Sequence, residues 1–435
     1  MHEAFNRIIG YHDIKGELDQ LGDILRCPEK YQQLGVKVPS GLMLYGRPGL
    51  GKSLMAECLI QASGRKCFIC RKNLPNGEFV KKIKATFDEA AANAPAVVFL
   101  DDMDKFANGD SRHPDSEEYV TVQACIDQVR GKGVFVLATA NNLDNLPESL
   151  LRNGRFDREI EVKRPSKEDS AEIIRYYLST KAVDKDLDIP LIARIVGNCS
   201  CATLENVLNE AGLRAAYADS ETIKMEHFLE ACLNVIFNVP GKRAAFKGVD
   251  ETALQDANNP YAVIVYHEAG HIVVSEALNP GNVTVACVYA QNGNKGGFAA
   301  YEDRETRYSL SKKKAEIMGG LGGLSGVEQK FGFRSVGGIS DLSDAYEQMK
   351  HLVVDQCIFG MEYYSDFRNS PELMAKQERR TTEELERLYQ QAKTILAANM
   401  PLLDAVAREL AAKGVITAHD IAELEVQYGL SGAVV

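Results

Sequence analysis

The residues best suited to chemistry in this chain stand at His267-Glu268-Ala269-Gly270-His271. Two histidines at i and i+4 share one face of a helix, so their neutral imidazoles can hold a single zinc ion. Glu268 follows the first of them, close enough to the position such an ion leaves open to take a proton from water there. Ala269 and Gly270 are small, so another backbone can approach this turn. The spacing has meaning only on a helix, and the flanks predict one. Asn259 can cap it, Pro260 suits the first turn, Ala262 to Leu278 is mostly apolar, and Asn279-Pro280-Gly281 stops it.

A second chemical centre lies upstream. Gly46-Arg47-Pro48-Gly49-Leu50-Gly51-Lys52-Ser53 is a full G-x-x-x-x-G-K-[ST] loop, with the apolar strand Leu42–Tyr45 before it and a helix from Leu54 to Ala62 after it. The glycines let backbone N–H groups wrap phosphates at a helix N-terminus, Lys52 neutralises the β and γ oxygens, and Ser53 can ligate magnesium. The resulting ATP site takes in Gly46, Pro48, Gly49, Gly51, Lys52, Ser53 and Leu54. A second buried strand, Val97–Leu100, ends in Asp101-Asp102-Met103-Asp104. Asp101 there suits the magnesium shell and Asp102 the attacking water. A third strand, Val134–Ala138, leads to Thr139-Ala140-Asn141, and Leu150-Leu151-Arg152-Asn153-Gly154-Arg155-Phe156-Asp157-Arg158 follows. Strands alternating with helices, with a phosphate loop at a strand's carboxyl end, predict a parallel α/β sheet.

This order of phosphate loop, acidic strand end, Asn141 and the Leu-Leu-Arg-x-Gly-Arg-Phe-Asp run resembles the AAA+ ATPases. Together with the His267 motif it resembles the FtsH family of ATP-dependent zinc metalloproteases, over nearly the whole chain from Phe5 to the C-terminal helices. The resemblance implies that Asn141 senses the γ-phosphate and that Arg152 and Arg155 are arginine fingers reaching the ATP of a neighbouring subunit. A finger acting in trans makes assembly a condition of hydrolysis. It also counts Ile9 and Gly10, ahead of the first helix, among the nucleotide-binding residues. A catalytic zinc needs a third protein ligand, which the family takes from an aspartate opening a later helix in an Asp-[Phe/Leu]-x-x-Ala context. Asp341-Leu342-Ser343-Asp344-Ala345 matches, after Gly337-Gly338 and a possible cap at Ser340. Asp341 is the chosen ligand, with Asp344, one turn on, as its rival.

Positioning these groups takes an AAA+ α/β module, a parallel sheet plus helical lid, followed by a mostly α-helical zinc metalloprotease domain. The expected boundaries are 1–165 for the large ATPase subdomain, 166–238 for the lid, 239–245 for a linker at Val239-Pro240-Gly241-Lys242, and 246–435 for the protease. Cys199 to Leu204 and Asn209-Glu210-Ala211 resemble the family's lid. In the last domain Val283–Tyr289 alternates like a strand, Asn292-Gly293-Asn294 reads as a turn, and Gly296–Ala300 is extended. Gly322-Gly323-Leu324-Ser325-Gly326 stands where the family has a glycine-rich helical segment, and Leu385, Leu388, Ala392 and Leu396 form one apolar helical face.

The 435 residues suffice for two or three cores, and a net charge of −11 argues against nucleic acid or an anionic membrane as the main partner. No apolar run spans a bilayer and no signal peptide opens the sequence, so a cytoplasmic chain is expected, its membrane anchor either lacking or removed. The ten cysteines form no paired framework, and Cys67 and Cys70, on a strand, read as buried reduced thiols.

Three departures from the family bear on mechanism: the two membrane segments usual before the ATPase are missing from this sequence, Asp102 replaces a glutamate, and the aromatic that grips substrate in the pore is displaced, with Phe79 or Pro75 at its place. Phe79 is the choice for the pore. The leading reading is a homohexameric, soluble zinc endopeptidase that uses ATP and magnesium to unfold or thread polypeptides. The alternative is an ATP-dependent remodelling chaperone whose protease domain is mainly structural.

Overall fold

The computed structural model describes residues 1–107, 116–152, 154–239, 250–289, 296–302, 309–360 and 371–432. It divides into two compact units, Met1–Ala231 and Cys232–Val435. Of the expected linker, only Val239 is among the described residues; Asn153 and the turn at Asn292-Gly293-Asn294 are outside them. No described helix is long and apolar enough to cross a membrane.

The first unit opens with α1 (His12–Arg26) and α2 (Pro28–Gln32). Then come β1 (Gly41–Tyr45), α3 (Lys52–Ser63), β2 (Lys66–Arg71), α4 (Asn76–Ala92), β3 (Ala96–Asp101), α5 (Glu117–Val129), β4 (Val134–Ala140) and β5 (Arg158–Glu161). The strands form one parallel sheet in the order β2-β3-β4-β1-β5. Strands β3 and β4 are buried throughout, as expected of a parallel sheet covered on both faces, which explains their unbroken apolar runs. The loop after β1 and the carboxyl ends of β3 and β4 lie side by side, because neighbouring parallel strands end on the same edge. Helices α6 (Lys167–Leu178), α7 (Ile189–Ile195) and α8 (Cys201–Tyr217) follow, and α9 (Met225–Val235) contains the division between the units. A capping box between Ser166 and Asp169 starts α6.

Phe79 does not face a pore. It lies in the first turn of α4 with its ring fully buried, edge-on to Phe106 at a centroid distance of 4.8 Å. Ile83 and Phe87 join it in the same core. Positions 79, 83 and 87 repeat at four-residue intervals, so Phe79 belongs to the stripe that seats α4 on the sheet. In the short segment between β2 and α4, Leu74 and Pro75 are exposed instead.

The second unit contains α10 (Glu251–Leu254), α11 (Pro260–Leu278), β6 (Val283–Cys287), β7 (Phe298–Tyr301), α12 (Leu310–Phe331), α13 (Ile339–Val354), α14 (Pro371–Ala398), α15 (Met400–Lys413), β8 (Val415–Thr417) and α16 (Ala418–Tyr428). Its sheet is antiparallel, in the order β7-β6-β8. Helix α11 is the axis of this core and is apolar almost all round, as a helix enclosed by others must be. Asn259 caps it, its side chain accepting from Tyr261 N at 3.0 Å. At the other end the buried Glu276 carboxylate accepts from the backbone N–H groups of Gly281 and Val283, fixing the turn into β6. Leu385, Leu388, Ala392 and Leu396 of α14 pack into the same core.

Helix α12 is a poor helix by composition. Gly319, Gly320, Gly322, Gly323 and Gly326 lie within it, and each costs about 1 kcal/mol relative to alanine. Its contact with α11 explains all of them but Gly320, where a Cβ would meet open space. A Cβ on Gly270 would stand 2.2 Å from the carbonyl oxygen of Gly322, and one on Gly322 would stand 2.6 Å from that of Gly270. The two backbones touch directly, and tertiary packing offsets the weak propensity.

Candidate active sites

The first site forms where α11, α12 and α13 meet. His267 Nε2 lies 3.1 Å from His271 Nε2 and 2.9 Å from Asp341 Oδ2, and His271 Nε2 is 3.6 Å from the same oxygen. These three side chains are the group among the described residues able to hold a metal ion. Asp344 is exposed and outside that group. Helix α13 starts at Ile339 with Gly338, rather than Ser340, as its cap residue, which leaves Asp341 in the first turn where the helix dipole favours a carboxylate.

The donor atoms fit zinc. His271 Nδ1 lies 2.8 Å from the Gly319 carbonyl oxygen. A carbonyl can only accept, so Nδ1 carries the hydrogen and the Nε2 lone pair faces the other two donors. Burial lowers the pKa of His267 against the pull of Asp341, favouring the neutral imidazole that a metal requires. Burial acts the same way on His271, but Asp341, Glu268 and the Gly319 carbonyl outweigh it and raise its pKa, an effect that a cation at the cluster would oppose. Burial also opposes ionisation of Asp341, but both imidazoles outweigh it and hold this carboxyl well below the usual carboxylate range. Two nitrogens and one carboxylate oxygen are a common donor set for catalytic zinc.

Glu268 is 3 % exposed, and its Oε2 has no hydrogen-bond partner among the described residues. Burial, opposed by His271 and reinforced by Asp341, pushes its carboxyl up to about 7. An uncompensated buried carboxyl is costly to keep, and a dication beside it would favour its ionised form. Gly297, just before β7, covers the same side chain; a Cβ there would lie 2.8 Å from Glu268 Cγ.

Gly323 forms the wall of the donor cluster. A Cβ on it would stand 2.5 Å from both His267 Nε2 and His271 Nε2. Gly323→Ala is therefore expected to push the imidazoles apart and reduce zinc affinity by about 10- to 100-fold, read as zinc retained after dialysis, while unfolding stays close to wild type. Gly322→Ala meets backbone instead and is expected to cost about 1–3 kcal/mol of stability. Equal zinc retention by Gly323→Ala and wild type would contradict the placement of the ion.

The second site lies on the carboxyl edge of the parallel sheet. Lys52 is 6 % exposed, and its Nζ donates to the carbonyls of Gly46 and Arg47 at 2.7 and 2.9 Å and to Asn141 Oδ1 at 3.0 Å. Burial lowers its pKa, with Asp102 and Asp104 opposing. Gly46 has φ +142°, and a Cβ there would stand 2.2 Å from Val162 O, so only glycine turns the chain from β1 into the loop. Ser53 Oγ donates to Asp101 Oδ1 at 3.1 Å, and Asn141 Nδ2 donates to Asp104 Oδ2 at 3.2 Å. Asp102 takes a left-handed conformation at φ +54°, which a short polar side chain tolerates. Pro48, Gly51 and Leu54 lie in the loop or the first turn of α3, whose first helical residue is Lys52. Gly49 O accepts from Ala202 N of α8 at 3.0 Å. Ile9 precedes Gly10, which has φ +67° and would place a Cβ 2.7 Å from Asp169 Oδ1.

Arg155 is bound within its own chain. Its Nε and Nη2 donate to Asp127 at 3.2 and 2.8 Å, and Nη1 donates to Ser149 O. Arg152 is exposed. Four participants carry no motif: Thr139, which donates to Asp101 at 2.8 Å and accepts from Asp102 N at 2.9 Å; Lys105, which pairs with Asp102 at 2.7 Å; the carbonyl of Gly319; and Arg71 on Asp101. The Thr139 contact could have been sought in the sequence, since a threonine inside an apolar strand beside an acidic strand end must find a polar partner.

Comparison with known proteins places the chain among relatives. Residues 42–164 match the family model described as "ATPase family associated with various cellular activities (AAA)". The chain is 30 % identical to the ATP-dependent zinc metalloprotease FtsH 2 of Symbiobacterium thermophilum, over 96 % of this chain and 74 % of that protein. It is also 30 % identical to the ATP-dependent zinc metalloprotease FtsH of Caldicellulosiruptor bescii, over 97 % of this chain and 72 % of the relative. The ATP-dependent zinc metalloprotease FtsH of Bacillus subtilis is 27 % identical to the chain, over 97 % of this chain and 69 % of its own length.

Proposed function

Because the chain belongs to the FtsH family of ATP-dependent zinc metalloproteases, we propose that His267, His271 and Asp341 hold its zinc and that Glu268 is its general base. The enzyme uses zinc, ATP and magnesium. The observation that carries the assignment is the convergence of these three donors beside a buried, unpartnered carboxyl, in a space that Gly323 leaves open.

Zinc, when bound, supplies Lewis-acid polarisation of water and of the scissile carbonyl. Glu268 takes the proton from the attacking water and returns it to the leaving amine, a transfer suited to a carboxyl whose pKa burial has brought toward neutrality. His271 keeps its donor nitrogen oriented through the Gly319 carbonyl. At the nucleotide, the loop from Gly46 to Ser53 cradles the phosphates with Leu54 behind it. Lys52 neutralises them, Ser53 and Asp101 hold magnesium, Asp102 orients the water, and Asn141 contacts the γ-phosphate. Ile9 and Gly10 border the rest of the nucleotide.

Arg152 and Arg155 serve as fingers for the ATP of the next subunit in a homohexamer. Arg155 must then exchange Asp127 for phosphate, so its finger is engaged only on assembly. Hydrolysis moves loosely folded polypeptide toward the zinc site. With Phe79 in the core, the grip falls to exposed Leu74 and Pro75 of the same segment.

The test is degradation of casein by the purified protein, with and without ATP and with a zinc chelator. Cleavage that needs ATP and stops with chelator is expected. Cleavage indifferent to ATP would refute coupling, and cleavage indifferent to chelator would refute the zinc site.

A further inference from the structure

Arg71 belongs to no motif, yet it occupies the carboxylate assigned to magnesium. β2 and β3 run parallel with Arg71 level with Asp101, so the contact is set by sheet register. Arg71 Nε donates to Asp101 Oδ2 at 2.9 Å, and Nη2 donates to the same oxygen. The other oxygen of Asp101 accepts from Ser53 Oγ at 3.1 Å and Thr139 Oγ1 at 2.8 Å. Asp101 is 2 % exposed, whereas the Arg71 side chain, on the edge strand of the sheet, is 64 % exposed. The guanidinium therefore closes the buried carboxylate from the solvent side. Next to it Lys105 pairs with Asp102, so both strand-end carboxylates are neutralised by the chain's own cations.

We propose that Arg71 is an internal counter-cation for Asp101 that magnesium must displace, so that this side chain sets the magnesium requirement for nucleotide binding. The proposal rests on the reading of Asp101 as the magnesium carboxylate. A buried carboxylate without a cation is costly, and Arg71 removes that cost while the site awaits nucleotide. A guanidinium and a hydrated dication compete for one carboxylate, because each needs the same oxygen and they repel each other. Arg71 can leave, since its side chain is 64 % exposed and its charge stays in contact with water once released. Free magnesium alone must break this pair with no phosphate to share the cost, so the ion is expected to enter together with its nucleotide. Arg71 is a positioning residue in this scheme, acting through Asp101.

The test is equilibrium binding of a fluorescent ADP analogue to the full chain across a magnesium series, which involves no turnover. In Arg71→Gln the half-saturating magnesium concentration is expected to fall about three- to ten-fold, the scale of one partly exposed charged pair. Arg71→Lys, which keeps the charge but not the two-pronged contact, is expected to fall between. An unchanged or raised magnesium requirement in Arg71→Gln overturns the proposal. Asp101→Asn separates the two levels of inference, because it should remove most of the magnesium effect. If it leaves the wild-type dependence intact, the reading of Asp101 fails and the role of Arg71 fails with it.

Discussion

Glu268→Gln is expected to lower peptide cleavage by about 10²- to 10⁴-fold, the range of one general acid–base group, while zinc content stays at the wild-type level. The glutamine has nearly the same shape and cannot accept the proton. Glu268 is not among the three donors, so the ion has no reason to leave. Stability supplies a second readout with a definite sign. The folded-state pKa of Glu268 is raised to about 7 by burial, above the ordinary carboxylate value. Its contribution to the stability of the metal-stripped protein is thus fully present below about pH 4.5 and is lost as pH rises through about 7. The loss is on the order of 3 kcal/mol. Metal-stripped Glu268→Gln is therefore expected to unfold at a higher temperature than metal-stripped wild type at pH 8, with the gap closing toward pH 5. Undiminished cleavage by the variant would remove Glu268 from the mechanism. An absent or inverted stability gap would mean that the carboxyl is not buried as described.

Lys52→Ala is expected to reduce ATP turnover by about 10²- to 10³-fold, the scale of losing one preorganised charge at a developing anion. Casein degradation in ATP should then fall to its nucleotide-free level. The buried ammonium bridges the loop carbonyls of Gly46 and Arg47 to Asn141, so alanine removes both the proposed phosphate contact and the link that holds Asn141 in place. Short unstructured peptides need no pulling and are expected to be cut at near wild-type rates. Parallel loss of peptide and casein cleavage would show that the zinc site depends on the nucleotide state itself rather than on delivery of substrate.

The local geometry of the candidate sites is legible in this sequence wherever one element determines it. His267 and His271 share a face because a single helix sets their spacing, and the loop from Gly46 to Ser53 is defined by one turn between β1 and α3. Strand β3 could be read because a fully buried parallel strand needs a continuous apolar run. What depends on distant partners was not legible. Phe79 reads as a pore residue because its stripe with Ile83 and Phe87 matters only once α4 packs on the sheet. β8 is three residues long and exists because it pairs with β6, more than a hundred positions earlier. Ser340 reads as a cap by type, but the helix starts one residue before it. Arg71 looks like any charged residue on an edge strand until register sets it beside Asp101.

The direct contact between α11 and α12 has a consequence for how the metal site responds to heat and to loading. Most helix pairs meet through side chains, which can change rotamer and let the axes drift. Where Gly270 meets Gly322 there are no side chains to rearrange, so the imidazoles inherit the stiffness of two backbones. Ordering the ligands then costs little conformational entropy when zinc arrives, because that cost was met when the helices closed. The metal-free site is in this sense already cold: it has few configurations to lose, and its affinity is set by the helices before any ion is bound.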